Sequence, residues 1–397
     1  MKRIYLTALA SCLAVVLLVW VACAGWKPQR EPEVLKVGFI YENDESSPDT
    51  YNFGLAEEAL RQEWGDGIQI LAKSNVLETE TEEPLRELVR RGCRVVFLNS
   101  YSDSAFRVAA EFPDVQFCQV SSETTRDLTL PANCHTFNGE VYQGRYVSGI
   151  AAGMKLRALL DEGEITADQA QVGFVGAYPT AGTLSDSAAF LLGVRSAAPE
   201  ATLRLRCAKA WGNYGAEKAC ADSLIEEGCI VISQNTSTIA PAVACEEASA
   251  AGKRVFHVGF NESLLNVAPA TALISMRVNW LPYVTGAVAA VAEGKPIEKG
   301  VKGRVHGNDM SAGFDQDWIQ MLELNKQIAA EGTEEALASA VEGFRKGRIQ
   351  VFKGDYTGVN PTDPSDTCDL NQGYQENRDS SLPTFRYILD GVMALES

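Results

Sequence analysis

From residue 35 onward the apolar positions fall into two kinds of run. Some are short and nearly continuous: "LKVGFIY" (35–41), "IQILAKS" (68–74), "CRVVFLNS" (93–100) and "VQFCQVSS" (115–122). Others scatter apolar residues among charges at three- and four-residue spacings, as in "FGLAEEALRQEW" (53–64), "EEPLRELVRRG" (82–92) and "SAFRVAAEF" (104–112). The continuous runs predict strands of a parallel sheet covered on both faces, and the spaced runs predict the helices that cover it. Alternation of the two kinds is a βαβ series.

The series then repeats. "QVGFVGA" (171–177), "ATLRLRCAKAW" (201–211), "CIVISQN" (229–235) and "RVFHVGFN" (254–261) are strand-like, and the helix-like runs "SAAFLLGVRSAAP", "GAEKACADSLIEEG" and "APAVACEEASAAG" lie between them. Val37 and Val172, Cys93 and Cys229, and Phe117 and Phe256 stand 135, 136 and 139 positions apart, so register holds across three matched strands. In both halves a helix ends in Gly-Cys, at Gly92-Cys93 and Gly228-Cys229; the glycine suits a left-handed cap and the small cysteine opens a buried strand. The fold class expected is α/β, with two doubly wound Rossmann-like lobes whose ligands bind outside the carboxyl ends of the strands. The first lobe is expected over 36–128, with 277–298 returning to it, and the second over 136–262, with 303–397 completing the pair. Hinges are expected around 123–136, 261–278 and 298–304. Late in the chain, helices are expected near 315–331 and 333–346, and a packed strand within "RYILDGVMAL" (386–395).

The amino terminus breaks the pattern. "MKRIYLTALASCLAVVLLVWVACAG" is basic, then apolar, then small around Cys23, which is an export signal expected over 1–23, with a linker over 24–35. Lipid attachment on Cys23, simple cleavage and an uncleaved anchor all fit this segment. The formal net charge of -17 excludes nucleic acid and anionic membrane surfaces as partners in the absence of a basic patch, and none is evident. Ten cysteines in 397 residues do not make a disulfide scaffold, and those beside apolar runs read as buried thiols. Three scattered histidines and no CxxC argue against a metal site, and no cofactor is expected. No phosphate-binding loop or Gly-x-Ser-x-Gly elbow points to an enzyme.

"HTFNGEVYQGRYVSGIAAGMK" (135–155), followed by "VGFVGAYP", "GCIVISQNT" and "NWLPYV", resembles the BMP (basic membrane protein) family of substrate-binding lipoproteins, which includes purine nucleoside receptors of ABC transporters. The resemblance covers about 36 to 395. It implies a type I periplasmic-binding-protein fold, a nucleoside or nucleobase ligand between the lobes, and no enzymatic activity. It also implies an exported monomer, anchored by lipid to the outer face of the cell membrane, with ABC permease and ATPase subunits as partners.

Candidate ligand contacts follow the strand ends. In the family an Asp-x-Ser-Phe-Asn motif follows the first strand; Tyr51 and Asn52 match its ring and amide, while the acidic place falls on Pro48 with Asp49 one position along. Ser100 and Tyr101 follow "VVFLN", either as contacts or as a helix cap with a surface ring. In the second lobe Tyr178 and Trp211 offer flat rings, Gln234, Asn235 and Thr236 offer amide and hydroxyl groups, and Asn261 and Glu262 follow the next strand. Arg277, Asn279 and Trp280 complete the set; the Asn-Trp pair matches the family, whereas its usual lysine falls on Val278. The function this implies is an extracytoplasmic substrate-binding lipoprotein of an ABC importer. A surface receptor used for sensing is the alternative, and a nucleoside-processing enzyme a more distant one.

Overall fold

The computed structural model describes residues 34–100, 102–123 and 129–395. The first sheet is built from β1 (Leu35–Ile40), β2 (Ile68–Lys73), β3 (Val95–Leu98), β4 (Gln116–Val120) and β5 (Cys134–Gly139). The second is built from β6 (Gln171–Gly176), β7 (Thr202–Cys207), β8 (Val231–Gln234), β9 (Phe256–Phe260) and β10 (Ala272–Val278). The remaining strands are β11 (Arg304–His306), β12 (Asp309–Ala312), β13 (Ile319–Met321), β14 (Thr357–Asn360), β15 (Asp363–Asp369), β16 (Ile388–Leu389) and β17 (Val392–Leu395). The sheet orders are β11-β12-β5-β4-β3-β1-β2 and β13-β10-β9-β8-β6-β7-β17, with β15-β14-β16 as a small third sheet.

The two large sheets carry the same core. Strand β1 lies between β3 and β2 through Val37↔Val95 and Val37↔Ile70, and β6 lies between β8 and β7 through Val172↔Val231 and Val172↔Leu203. The matched Gly-Cys junctions have one geometry: Gly92 and Gly228 stand at φ 91° and 94°. Cys93 N–H donates to Leu88 O at 3.1 Å and Cys229 N–H to Leu224 O at 3.0 Å. A side chain at either glycine would meet the steric cost of positive φ, which is why the repeat keeps glycine there. All eight described cysteines are free thiols.

The lobe boundaries differ from the sequence reading. Strand β5, expected to open the second lobe, pairs with β4 in the first sheet, and β12 then pairs with β5, so residues 304–312 also belong to the first lobe. The chain therefore crosses between lobes after Gly139, after Val278 and after Ala312. The first and third crossings lie beyond the expected hinges, because β5 and β12 pair in the first sheet before the chain leaves it, and the second begins at the end of its expected hinge. After the second crossing, helix Leu281–Glu293 covers the first sheet, with the Tyr283 ring stacked on Phe137 at 3.8 Å. The helix expected near 315–331 is replaced by a short turn and β13, which pairs antiparallel with β10; Asp317 at φ 61° ends the turn. Helix Thr333–Arg345 lies where a helix was expected, and β17 of the carboxy-terminal run joins β7.

One helix pair stiffens the second lobe, and one segment ties the two lobes together. Helix Val141–Asp161 packs against helix Ala181–Arg195 through glycines: a Cβ at Gly149 would come within 2.2 Å of Phe190 O, and one at Gly193 within 2.0 Å of Tyr146 O. The carboxy-terminal segment 376–385 spans the lobes. Buried Glu376 accepts from Ser185 Oγ on the second-lobe helix at 2.8 Å, while Asp309 in the first sheet accepts from Ser381 N–H at 2.6 Å.

Backbone cannot retreat as a flexible side chain can, so Gly149→Ala or Gly193→Ala should cost roughly 1–3 kcal/mol or more, outweighing the ~1 kcal/mol that alanine ordinarily adds to a helix. Gly54, with nothing within 4 Å of its would-be Cβ, should show the opposite sign as Gly54→Ala. Urea unfolding of the three variants checks this; stabilisation by either helix-pair variant would disprove the packing argument.

Candidate functional site

The site lies where the amino-terminal end of helix Pro48–Trp64 meets the carboxyl ends of the second lobe's strands. Pro48 in the first turn starts the helix, so that Asp49 and Asn52 stand near its beginning. Asn52, buried, donates from Nδ2 to Val278 O at 2.6 Å and reaches Asn261 Oδ1 at 3.4 Å, so a first-lobe side chain is bonded to the second lobe. Asn261 is held by its own backbone, with φ 64° and its N–H on Met276 O at 2.8 Å. Asparagine is among the few residues that adopt this conformation readily. The Asn261 Nδ2 donates to Asp49 Oδ1, and Ser237 Oγ donates to Asp49 Oδ2. Loss of water around the Asp49 carboxyl raises it above its usual range, while these two hydrogen bonds and the charge of Arg145 pull it back.

Beneath that contact lies Arg145, fully buried. Its Nε sits 3.2 Å from Asp186 Oδ2, its Nη1 donates to Gln234 O at 2.7 Å, and its guanidinium lies 4.1 Å from the centre of the Phe260 ring. Gln234 is spent internally: its Nε2 donates to Thr236 O at 3.0 Å and Thr238 O at 2.8 Å, and its Oε1 meets His257 Nε2 at 3.0 Å. Burial pushes His257 down to about 3, so that ring is neutral. Asn235 likewise holds the loop after β6, accepting from Ala177 N–H at 3.0 Å and donating to Thr183 Oγ1 at 3.1 Å. Thr236 is buried and accepts from Gln234 Nε2 at 3.3 Å.

The same loops set the rings. Asn235 fixes Ala177, the neighbour of Tyr178, and Ser237 N–H donates to Trp211 O at 2.8 Å. Tyr178 and Trp211 stand edge to face with centroids 6.0 Å apart, 38% and 52% exposed, which is high for rings with no solvent role. Tyr51, beside Asn52 on its helix, is 50% exposed. Glu262, next to Asn261, is half-buried; burial raises its carboxyl, and no described residue gives it a hydrogen bond or an ion pair. Ser100 is buried, its hydroxyl without a partner among the described residues, while Tyr101 lies outside them.

The remaining sequence candidates have other tasks. Arg277 donates from Nε and Nη2 to Gln320 Oε1 at 3.0 and 2.8 Å on the neighbouring strand. Asn279 bonds Asp317 O at 2.8 Å inside a crossing. Trp280 is 8% exposed and packs against Phe53 and Phe137, each at 5.5 Å, in the first lobe's core. An aromatic residue at a strand end can turn into the core as well as into the cleft, and this one turns inward. Sequence reasoning noted Asp49 only as an acid displaced from the motif's acidic place, and did not take Arg145, Asp186 or Ser237 as contacts. A signal existed for two of them: Arg145 is the single charge in "VYQGRYVSGIAAGM" (141–154), and Asp186 the single charge in "AGTLSDSAAFLLGV" (181–194).

A pair of doubly wound lobes, joined by three crossings and meeting through polar side chains, is the architecture of periplasmic-type solute-binding proteins. The chain belongs to the Bmp family of PnrA-like ABC transporter substrate-binding proteins, whose family model matches residues 43–342. It is similar to a purine-binding protein of Brucella abortus, 30% identical over 267 residues, covering 66% of this chain and 70% of that one. It is also similar to a putative ABC transporter glucose-binding protein of Haloferax volcanii, 27% identical over 241 residues, covering 60% of this chain and 56% of the relative. Among solved structures, an ABC transporter solute-binding protein from Conexibacter woesei aligns with a TM-score of 0.60 at 17% identity, covering 79% of this chain and 97% of the other, which shows the fold. Proteins of this family bind small molecules for ABC importers outside the cytoplasm, and no described helix is long and apolar enough to cross a membrane.

The crossings carry a titratable group. Glu140, fully buried, takes hydrogen bonds from Gln143 Nε2 at 2.6 Å and Ser311 Oγ at 3.2 Å and pairs with Arg304 at 2.6 Å, yet burial outweighs these and pushes it up to about 7. Below about pH 4.5 the carboxyl is protonated whether the chain is folded or not. As pH rises toward 7 the unfolded chain loses this proton first, so stability should fall by about 3 kcal/mol across that window and then level off. Glu140→Gln should remove this component of the pH profile; thermal unfolding from about pH 5 to pH 8 checks it, and an unchanged slope in the variant would disprove the assignment.

Proposed function

We propose that the protein binds a purine nucleobase or nucleoside between its lobes and presents it to an ABC permease, without enzymatic activity of its own. The observation that carries this reading is the cleft itself, where Asp49 and Asn52 of one lobe meet Ser237 and Asn261 of the other and Tyr178 and Trp211 stand nearby with exposed rings. Flat rings beside hydrogen-bonding side chains match a planar heterocycle, and the purine-binding relative supports the choice of ligand. A ligand touching both lobes favours the closed arrangement, which is the state a permease can recognise. A hexose is the second reading, favoured by the same dense set of acidic, amide and guanidinium groups and by the glucose-binding relative's name.

Calorimetric titration with purine bases, nucleosides and glucose decides between them. Purine binding is expected, weakened roughly 5- to 150-fold by Trp211→Ala if stacking contributes about 1–3 kcal/mol. Glucose binding with no purine binding would replace this reading.

We also propose that the chain is a monomer held to the outer face of the membrane by lipid on Cys23, which lies outside the described residues. Metabolic labelling with a fatty acid should mark the native chain and not Cys23→Ala, and the variant should leave the membrane fraction. A labelled Cys23→Ala chain would disprove the anchor.

A further inference from the structure

Arg145 is incompletely satisfied for a guanidinium at zero exposure. Taking such a charge out of water costs several kcal/mol unless each donor finds an acceptor, and arginine usually recovers this through a two-pronged carboxylate contact. Here Asp186 meets only Nε, at 3.2 Å, and Gln234 O takes Nη1, while Nη2 is buried with no partner among the described residues.

Two further donors belong to the same face of the second lobe: Ser237 Oγ and Asn261 Nδ2, both now given to the first-lobe carboxylate of Asp49. Asp49 is also close enough for its charge to act on Arg145. The second lobe thus presents donors to the cleft, and Asp49 supplies the acceptor for two of them, Ser237 Oγ and Asn261 Nδ2, while Arg145 Nη2 is left without one. Beside Asn261 stands one acceptor without a described partner, the half-buried carboxylate of Glu262.

Purines divide on this pattern. A 6-oxopurine offers two acceptors, O6 and N7, on one edge and an N1–H donor on the next, with an added amine in guanine. Adenine carries an N6 amine in place of O6 and would turn a donor toward donors. Granted the purine reading above, we infer that the cleft selects 6-oxopurines: their O6/N7 edge takes the place of Asp49 before Ser237 Oγ and Asn261 Nδ2 and meets Arg145 Nη2, and Glu262 accepts from N1–H.

The test is the ratio of affinities for 6-oxo and 6-amino ligands, measured by titrating the purified protein with hypoxanthine, guanine and inosine against adenine and adenosine. At least tenfold preference for the oxo compounds is expected, and Arg145→Lys, which keeps the charge and loses the fork, should reduce that preference toward one. A purely structural arginine would lower all affinities together and leave the ratio unchanged. Should Arg145→Lys fail to fold, Ser237→Ala removes one donor at a part-buried loop and should lower the ratio by itself. Equal or tighter binding of adenine overturns this inference and leaves the purine reading standing; binding of no purine at all overturns both.

Discussion

The contact on which the cleft depends is the Asp49 carboxylate of one lobe held by Ser237 and Asn261 of the other. A carboxylate in so crowded a place is costly unless its oxygens are bonded, and the donors that bond it belong to the opposite lobe. The lobes therefore meet through an interaction that is satisfied only when they are together. Asn52 repeats the logic with neutral groups, using Val278 O and Asn261. A ligand entering between the lobes competes with these internal bonds, so its affinity is the difference between its own contacts and those it replaces.

That exchange can occur at few residues because everything behind them is stiff. Two sheets with the same strand order place the cleft at the carboxyl ends of both, and Gln234, Asn235 and Glu217 lock the second-lobe loops from below. Glu217, fully buried, accepts from Thr238 Oγ1 at 2.6 Å and Asn213 N–H at 3.0 Å. The polar side chains nearest the strand ends thus hold the loops that carry Tyr178, Trp211 and Ser237, and the groups left for a ligand are those one step further out.

This division explains how much the sequence could reveal. The duplicated lobes were legible because each depends on local signals: continuous apolar runs, Gly-Cys junctions at matched offsets, and helices of ordinary spacing. The lobe boundary near 136 was not, since whether β5 completes the first sheet or opens the second depends on pairing with β4 and β12, which no local pattern encodes. At the site, Asn52 was legible from its match to the resembled family's motif and Asn261 from its place after a strand, and the two do meet. Gln234 and Asn235 also sit at a strand end, yet their amides are consumed by the loop around them; residue type and spacing are identical for an amide that faces a ligand and one that braces a turn. Asp49 and Arg145 could be linked only in three dimensions, because they come from different lobes and 96 positions of chain separate them.

The carboxy-terminal segment adds a constraint beyond the span matched by the family. Residues after 342 include the third sheet and the strand β17, and the run 376–385, between β15 and β16, is bonded to both lobes. Glu376 is anchored four ways, to Ser185 Oγ, Thr384 N–H, Thr384 Oγ1 and Phe385 N–H, while Ser380 and Ser381 converge on Asp309. Asn377 braces the turn between them through Ser381 O at 2.7 Å and Leu382 O at 3.0 Å. Rotation of one lobe against the other must therefore be absorbed within this turn or break one of its end bonds. The range of hinge motion is set here as well as at the three crossings, so the energy of opening includes contacts remote from the ligand.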